Sequence, residues 1–191
     1  RVRAASLNYR DLLTVEGSYN PRQPLPLVPL SDGAGEVLAV GRGVTRVREG
    51  DRVAGIFNQA WITGPPRREH VSHSLGGPLD GMLAEQVVLD AEGTVPVPGH
   101  LSFEEAACLP CAAVTAWNAL VAQGNLTAGD TVLVLGTGGV ALFALQLARL
   151  LGGRVIVSSS SDAKLERAKA LGATDVVNYR TTPEWDEAVK T

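Results

Sequence analysis

Residues 131–140 read TVLVLGTGGV, and this stretch decides the fold. Residues 131–135 are rich in β-branched and leucine side chains and predict a strand, which the glycines at positions 136 and 138 end in a tight turn. An apolar stretch with helical periodicity follows at residues 141–151. Strand, glycine turn and helix, in this order, are the context in which a G-x-G-x-x-G/A pattern predicts dinucleotide binding.

The glycine turn also predicts how a diphosphate would be held. Gly136 permits the tight turn, Gly138 lets the backbone approach closely, and Ala141 takes the third position of the pattern, which serves helix packing. The unpaired N–H groups and the positive dipole end of the helix would face the phosphates. We therefore predict that the cofactor contacts Gly136, Thr137, Gly138, Gly139 and Val140.

The second part of the chain alternates between strand and helix patterns. We predict strands at 131–135, 154–158 and 175–178, and helices at 139–151, at 162–171 and from about residue 183. Such an α/β alternation indicates a parallel sheet with right-handed crossovers. Three strands correspond to one half of a doubly wound sheet, so we expect the chain to be a fragment of a longer enzyme.

The first part of the chain consists of short, glycine-punctuated segments. Residues 33–41, 50–57 and 82–89 predict strands of a small barrel. Residues 64–81 form a polar loop whose length is typical of a functional lid or of a lobe that extends from the domain. The predicted organisation is a β-rich domain over residues 1–112, followed by the first half of a coenzyme domain over residues 113–191.

The composition argues against several classes of function. The 191 residues are 45% hydrophobic and carry a net charge of −3, which is typical of a soluble globular protein. This charge gives no reason to expect nucleic acid or an anionic membrane as a partner. No apolar run reaches the roughly 20 residues of a membrane helix. Two cysteines are too few for a disulfide framework, so we expect a cytoplasmic protein. We expect its partner to be a small-molecule substrate.

The end of the second predicted parallel strand favours NADP(H) over NAD(H). NAD sites normally have a carboxylate there for the ribose hydroxyls, whereas this chain has four serines at 158–161. Hydroxyl groups and a cation suit a 2′-phosphate, and the first acid, Asp162, is better placed to cap the next helix. The predicted contacts are Ser158, Ser159, Ser160, Lys164 and Tyr179, with Arg180 as a further candidate. The alternative is that Lys164 and Arg180 are solvated surface charges.

Several motifs occur in register along almost the whole chain. They include Asn8-Tyr9-Arg10-Asp11, Gly33-x-Gly35-Glu36-Val37, Gly50-Asp51-Arg52-Val53 and the glycine turn. Together they resemble the medium-chain dehydrogenase/reductases, and most closely the zinc-independent, quinone-oxidoreductase-like branch. The resemblance implies a GroES-like catalytic domain, a Rossmann coenzyme domain, and hydride transfer to or from a carbonyl, enone, quinone or alcohol. It also implies that the full-length protein is a homodimer or tetramer.

The resemblance further implies that no zinc is bound. Zinc-dependent members have a cysteine at the position of Asn8, a His-Glu pair at Ser31-Asp32 and a third ligand at Cys111. Only Cys111 is a soft ligand in this chain, because an amide and a neutral hydroxyl do not replace a thiolate and an imidazole. We interpret Cys108 and Cys111 as two small buried thiols, and His70 and His73 as a surface pair that lacks a third ligand.

Hydride transfer without a metal needs a group that stabilises the developing oxyanion or enolate. By resemblance, Asn8 donates its amide N–H to the substrate oxygen or contacts the nicotinamide ribose, and Arg10 provides a cation near the oxyanion or a phosphate. Tyr9 contacts the pyrophosphate or the substrate, and Thr115 contacts the nicotinamide. Asp11 is either catalytic or stabilises the turn. Two alternatives to an active enzyme remain: a non-catalytic NADP(H)-binding sensor or interaction protein, and a fragment inactive on its own.

Overall fold

The computed structural model describes residues 1–190, and the chain forms two compact units, Arg1–Cys111 and Ala112–Thr191. The sequence places a domain boundary after residue 112. Each unit has its own sheet and its own buried cluster of apolar side chains. None of the helices within residues 1–190 is long and apolar enough to cross a membrane.

The first unit contains a four-stranded antiparallel sheet. Its strands pair in chain order: β1 (Val2–Ser6), β2 (Asp32–Glu36), β3 (Arg52–Gly55) and β4 (Thr94–Pro96). β2 needs small residues because its neighbours approach closely: a Cβ added to Gly33 would lie 2.8 Å from the Met82 side chain. The strands predicted at 33–41 and 50–57 are present as β2 and β3, and both are shorter than predicted.

Residues 82–89, predicted as a strand, are not a strand in the structure. Met82 N–H donates to the Leu30 carbonyl at 2.7 Å, whereas the Glu85 carbonyl accepts from Val2 N–H at 2.9 Å. The segment thus bonds to two different parts of the chain and builds no continuous ladder with either. An apolar pattern alone does not distinguish such a segment from a true strand.

Two short α-helices complete the first unit, together with a 3₁₀ helix at Arg68–His73 inside the predicted polar loop. They are α1 (Tyr9–Val15) and α2 (Phe103–Ala107). Ser102 begins α2 with the reciprocal bonds of a capping box: its Oγ accepts from Glu105 N–H at 3.1 Å, and Glu105 Oε2 accepts from Ser102 N–H at 2.8 Å. Ala106 and Ala107 then pack with Ala34 of β2 in a buried cluster.

The second unit confirms the predicted alternation of strands and helices. The elements are α3 (Val114–Trp117), β5 (Thr131–Leu135), α4 (Gly139–Leu150), β6 (Arg154–Ser159), α5 (Asp162–Ala170), β7 (Asp175–Asn178) and α6 (Trp185–Ala188). The strands are parallel, in the order β5-β6-β7. The core lies between the sheet and the helices, where Leu145 and Ala148 of α4 and Leu165 of α5 pack on β6. α3 lies between stretches of wider, π-type turns at Leu109–Ala113 and Asn118–Gln123.

Candidate functional site

The glycine turn of the second unit forms an open backbone cradle. Gly136 has a φ of +86°, which only glycine adopts without strain, and its N–H donates to the Ser158 carbonyl at 2.9 Å. Gly138 is the N-cap of α4, with φ −79° and ψ −178°. A Cβ added to Gly138 would meet no heavy atom of the described chain within 4 Å. The space in front of the helix is therefore open to a ligand.

The start of α4 has the electrostatics of an anion site. The first intrahelical bond runs from Leu142 N–H to the Gly138 carbonyl at 2.9 Å, so the N–H groups of residues 139–141 precede it. Among the described residues, no side chain caps this end of the helix. With twelve residues, α4 also has a positive dipole end that favours a negative group. The arrangement fits the diphosphate of a dinucleotide.

The serines at the end of β6 have two different environments. Ser158 and Ser159 are buried, at 3% and 4% exposure, and Ser159 Oγ accepts from Ser161 N–H at 3.3 Å. Ser160 and Ser161 are half-buried, so these two are more accessible to a ligand. The sequence interpretation included Ser160 and omitted Ser161, which is the residue that precedes α5.

The sequence predicts that Asp162 caps α5, but in the structure it does not. Ser161 is the N-cap, Asp162 is the first residue of the helix, and its Oδ1 accepts from Asn178 Nδ2 at 2.7 Å. The carboxylate is thus bound to the amide at the end of β7. Lys164 is exposed on the first turn of α5, and Tyr179 is 45% exposed directly after β7.

Two other predicted cofactor contacts lie on helices of the second unit. Thr115 is exposed on α3, and Val140, in the first turn of α4, is 42% exposed. α3 packs against α4, and a Cβ added to Gly139 would make an ordinary contact of 3.5 Å with Ala112. Both predicted positions are therefore accessible on helices that lie next to each other.

In the first unit, Asn8 and Asp11 are linked at the start of α1. Asn8 is the N-cap, and its N–H donates to Asp11 Oδ2 at 2.8 Å. Asp11 is only 3% exposed, and its Oδ1 accepts no hydrogen bond from any described residue. This geometry supports a role of Asp11 in the turn. Tyr9, the other predicted contact of this motif, is 75% exposed.

Arg10 is engaged by the backbone of the polar loop. Its Nη1 donates to the Leu75 carbonyl at 2.9 Å, and its Nη2 donates to the carbonyls of Gly76 and Gly77 at 3.3 and 3.4 Å. The guanidinium also lies 4.8 Å and 4.9 Å from the ring centroids of Tyr19 and Phe57. Only 9% of the side chain is exposed. This geometry supports a role in which Arg10 joins α1 to the loop at residues 75–77.

The structure brings together Asn8, Ser31, Asp32 and Cys111, which are distant in sequence. Asn8 Nδ2 donates to Ser31 Oγ at 3.5 Å, and Ser31 Oγ donates to Asp32 Oδ1 at 2.6 Å. Asp32 Oδ2 accepts from the Cys111 backbone N–H at 2.8 Å. The sequence interpretation considered Ser31 and Asp32 only as replacements for zinc ligands. The signal that it missed is a pair of polar residues at the start of a buried strand.

Asp32 is a fully buried carboxyl group with opposing influences on its ionisation. Burial raises the pKa of Asp32, and this effect exceeds the lowering by hydrogen bonds from Ser31, the Cys111 N–H and Asn8. The negative charge of Asp11 raises the pKa of Asp32 further. Because Ser31, the Cys111 N–H and Asn8 all donate to the carboxylate, the network is complete when Asp32 is ionised.

The donor set of this cluster does not fit a zinc ion. The Ser31 hydroxyl donates to Asp32, both Asp32 oxygens accept hydrogen bonds, and the Asn8 amide is a poor zinc ligand. Cys111 and Asp32 are usual ligand types, but both oxygens of Asp32 are already engaged. Within residues 1–190, no group of three histidine, cysteine or acidic residues is arranged to hold a metal.

The remaining cysteine and histidine predictions have mixed outcomes. Cys108 is exposed, not buried as predicted, and its Sγ donates to the Glu104 carbonyl at 3.3 Å, because it follows α2 on the solvent side. Cys111 is half-buried. His70 Nδ1 accepts from Arg67 N–H at 3.1 Å and its ring stacks on Trp61, whereas His73 Nδ1 lies 3.1 Å from Ser72 Oγ. Both histidines thus make local contacts in the loop.

Two family models match the chain. The model described as alcohol dehydrogenase GroES-like domain covers residues 1–99, and the one described as zinc-binding dehydrogenase covers residues 139–191. The chain belongs to the medium-chain dehydrogenase/reductase superfamily. Its fold is accordingly a GroES-like domain followed by a parallel-sheet, Rossmann-like part, as predicted.

Individual proteins support this assignment. A zinc-type alcohol dehydrogenase-like protein of Schizosaccharomyces pombe is 49% identical over 187 residues, which are 97% of this chain and 54% of that protein. The crystal structure of a putative alcohol dehydrogenase from Sinorhizobium meliloti has a TM-score of 0.92 at 49% identity and covers 99% of this chain and 56% of its own. An NAD-dependent alcohol dehydrogenase gives 0.89 at 40% identity, with 100% and 57% coverage. The chain thus spans about half the length of these relatives.

Proposed function

We propose that the full-length protein is an NADP(H)-dependent, zinc-independent oxidoreductase that transfers a hydride to or from a carbonyl, enone, quinone or alcohol. The observation that carries the proposal is the open cradle at Gly138, in front of the uncapped start of α4. A bound pyridine nucleotide would supply the hydride chemistry, and the residues of this chain would supply binding and orientation. The dehydrogenase names of the relatives support the reaction class.

The preference for NADP(H) is supported by the residues around the end of β6. The accessible side chains there include the hydroxyls of Ser160 and Ser161 and the ammonium group of Lys164. The nearby carboxylate, Asp162, is bound by Asn178. A site of hydroxyls and a cation suits a 2′-phosphate better than a site with a free carboxylate does. One relative is named an NAD-dependent enzyme, so the cofactor needs a direct test.

Zinc independence is supported by the hydrogen bonds around Asp32. Without a metal, the charge that develops on the substrate oxygen needs a hydrogen-bond donor, and the half-buried Asn8 amide is a donor of the right type. Dialysis of the full-length protein against a chelator tests this part. Unchanged turnover and less than a stoichiometric amount of zinc are expected, whereas loss of activity that zinc restores would contradict it.

Titration of the full-length protein with NADPH and NADH tests the cofactor. We expect saturable quenching of tryptophan fluorescence by NADPH at a concentration at least about tenfold below that needed for NADH, because one charged contact contributes about 1.5–3 kcal/mol. Equal affinities would contradict the NADP(H) preference, and the absence of binding to either would contradict the proposed function.

A non-catalytic nucleotide-binding protein is the second candidate function. It is favoured by one observation: two ionisable side chains of the motif at residues 8–11 are largely buried and engaged with other groups. They are Arg10, which is 9% exposed, and Asp11, which is 3% exposed. Neither is free to exchange a proton with a substrate. A panel of one quinone, one enone and one alcohol, assayed by the absorbance of the reduced cofactor, separates the two candidates. Binding of NADPH without turnover of any substrate would favour the sensor.

A further inference from the structure

We propose that Ser31 and Asp32 are positioning residues that hold the Asn8 side-chain amide in the orientation in which it binds the substrate oxygen. This inference rests on the proposed function, because that function assigns Asn8 to the substrate. It is carried by the hydrogen-bonded series from Asn8 through Ser31 to Asp32. The last two residues are completely buried, and Asn8, the only member of the three that is partly exposed, ends the series at the surface of the unit.

The direction of the bonds follows from the number of protons available. A serine hydroxyl has a single proton, and the 2.6 Å distance from Ser31 Oγ to Asp32 Oδ1 commits this proton to the carboxylate. Towards Asn8, the Ser31 oxygen can then act only as an acceptor. The Nδ2 atom of Asn8 lies 3.5 Å from it, as this requires. A flipped amide would instead place Oδ1 against the lone pairs of Ser31.

The inner end of the series is firmly held. Asp32 is the first residue of β2 and is paired with Ser6 of β1. Its second carboxylate oxygen accepts from the Cys111 N–H at 2.8 Å, and solvent does not reach the side chain. The carboxylate is therefore fixed in place. Its hydrogen bond orients the Ser31 hydroxyl, which in turn orients the Asn8 amide. A buried polar group that lost its hydrogen bond in this series would destabilise the protein, so this arrangement of the three side chains is favoured over others.

The outer end of the series keeps binding capacity for a ligand. A side-chain amide has two N–H donors, and Ser31 takes one of them in the structure. The amide also hydrogen-bonds the Asp32 carboxylate, so both buried residues hold it, and because its side chain is partly exposed it is still accessible to a ligand. Because the amide is held before the substrate arrives, less side-chain freedom is lost on binding. The consequence for the reaction is a better-placed hydrogen bond at the oxygen where charge develops.

A double-mutant cycle in the full-length protein tests the inference. Ser31→Ala is expected to lower kcat/KM by about tenfold, because the amide loses its fixed orientation. The same change in an Asn8→Ala background is expected to lower it by less than about twofold, because Ser31 acts through Asn8. The affinity for NADPH should be the same in Ser31→Ala as in the wild type. Equal losses in both backgrounds, or no loss in either, would overturn the positioning role.

A second measurement is independent of turnover and of the stability of the variants. Proton exchange of side-chain amides in the wild-type protein is followed by NMR, with the exposed Asn20 as the control. We expect one Asn8 amide proton to exchange at least about tenfold more slowly than those of Asn20. Equal rates would overturn the inference even if the enzyme is active. Conversely, slow exchange in a protein that neither binds NADPH nor turns over substrate would show that the proposed function has failed and that the held amide is real.

Discussion

The Gly136 N–H donates a hydrogen bond to the Ser158 carbonyl oxygen at 2.9 Å. This bond continues the β5–β6 pairing, in which Leu135 lies opposite Ser158, by one step into the glycine turn. It therefore fixes the diphosphate cradle relative to the end of the strand where the ribose would lie. The two halves of the proposed cofactor site are therefore joined by backbone hydrogen bonds.

Gly138→Ala tests the cradle without disturbing the fold. A methyl group at Gly138 meets no atom of residues 1–190 within 4 Å, and the φ of −79° suits alanine, so the stability should not change. The methyl group projects into the space proposed for the diphosphate. We expect the affinity for NADPH to fall by at least about tenfold, since one lost backbone contact to phosphate is worth about 1.5 kcal/mol or more. Fluorescence titration measures this, with Gly99→Ala, which also lies in open space, as the control.

Gly136→Ala and Gly129→Ala form a matched pair for backbone strain. Their φ angles are +86° and +93°, and a Cβ at either position meets no described atom within 4 Å. Each substitution should therefore destabilise the protein by about 1–2 kcal/mol through conformation alone. Only Gly136→Ala should also weaken NADPH binding. Chemical denaturation and titration check the two effects, and weaker binding by Gly129→Ala would show that strain, not the turn, is responsible.

Arg10→Lys distinguishes a structural from a catalytic role. Lysine keeps the charge but loses the planar group that bonds three carbonyls and contacts the rings of Tyr19 and Phe57. We expect a loss of about 2 kcal/mol in the free energy of unfolding, because one ammonium group cannot replace the hydrogen bonds of the guanidinium to these buried carbonyls. Denaturant unfolding measures this loss. Unchanged stability together with reduced turnover would instead support the cation near the oxyanion that the sequence suggests.

Asp32 gives a pH dependence of known sign. Burial raises the pKa of Asp32 in the folded protein, so the folded state binds this proton more tightly than the unfolded chain does. The contribution of Asp32 to the free energy of unfolding is therefore largest at low pH and decreases as the pH rises through the raised pKa. The difference in unfolding free energy between the wild type and Asp32→Asn, measured from about pH 4 to about pH 8, should show this decrease. A difference that increases with pH would contradict the assignment.

Lys164→Ala tests the cofactor preference on α5. We expect weaker binding of NADPH and unchanged binding of NADH, because only NADPH has the 2′-phosphate that the ammonium group would contact. Lys169→Ala, on the same helix, is the matched control, since the Lys169 ammonium group lies 2.8 Å from Glu166 Oε1. Equal losses for both cofactors in Lys164→Ala would indicate a nonspecific effect of charge.

The sequence predicts the second unit well because its signals are local. The period changes from strand to helix over a few residues, and Gly136 and Gly138 mark the turn between them, so β5, α4, β6, α5 and β7 are all found close to their predicted bounds. Residues 82–89 show the limit of this approach. Their apolar pattern resembles a strand, but their hydrogen-bond partners lie at Leu30 and Val2, and nothing local specifies that.

The cluster around Asp32 shows a second limit. Asn8 and Ser31 are 23 residues apart, and Cys111 lies 79 residues from Asp32, so no spacing rule relates them. The resemblance to dehydrogenases points to these positions, but only by comparison with the zinc ligands of the zinc-dependent members. Their hydrogen bonds become visible once β1 and β2 are paired and the start of α1 lies next to them. The same holds for Arg10, whose partners are carbonyls at residues 75–77.

Mapping of backbone amide signals tests the central claim most directly. Addition of NADPH to the ¹⁵N-labelled full-length protein should shift the amide resonances of residues 136–141 most strongly, together with those of residues 160–164, because these groups would contact the diphosphate and the ribose phosphate. In Gly138→Ala, these shifts should need at least about tenfold more NADPH to reach the same size, while the fold is retained. Saturable binding that leaves residues 136–141 unchanged would place the nucleotide elsewhere and would contradict the account.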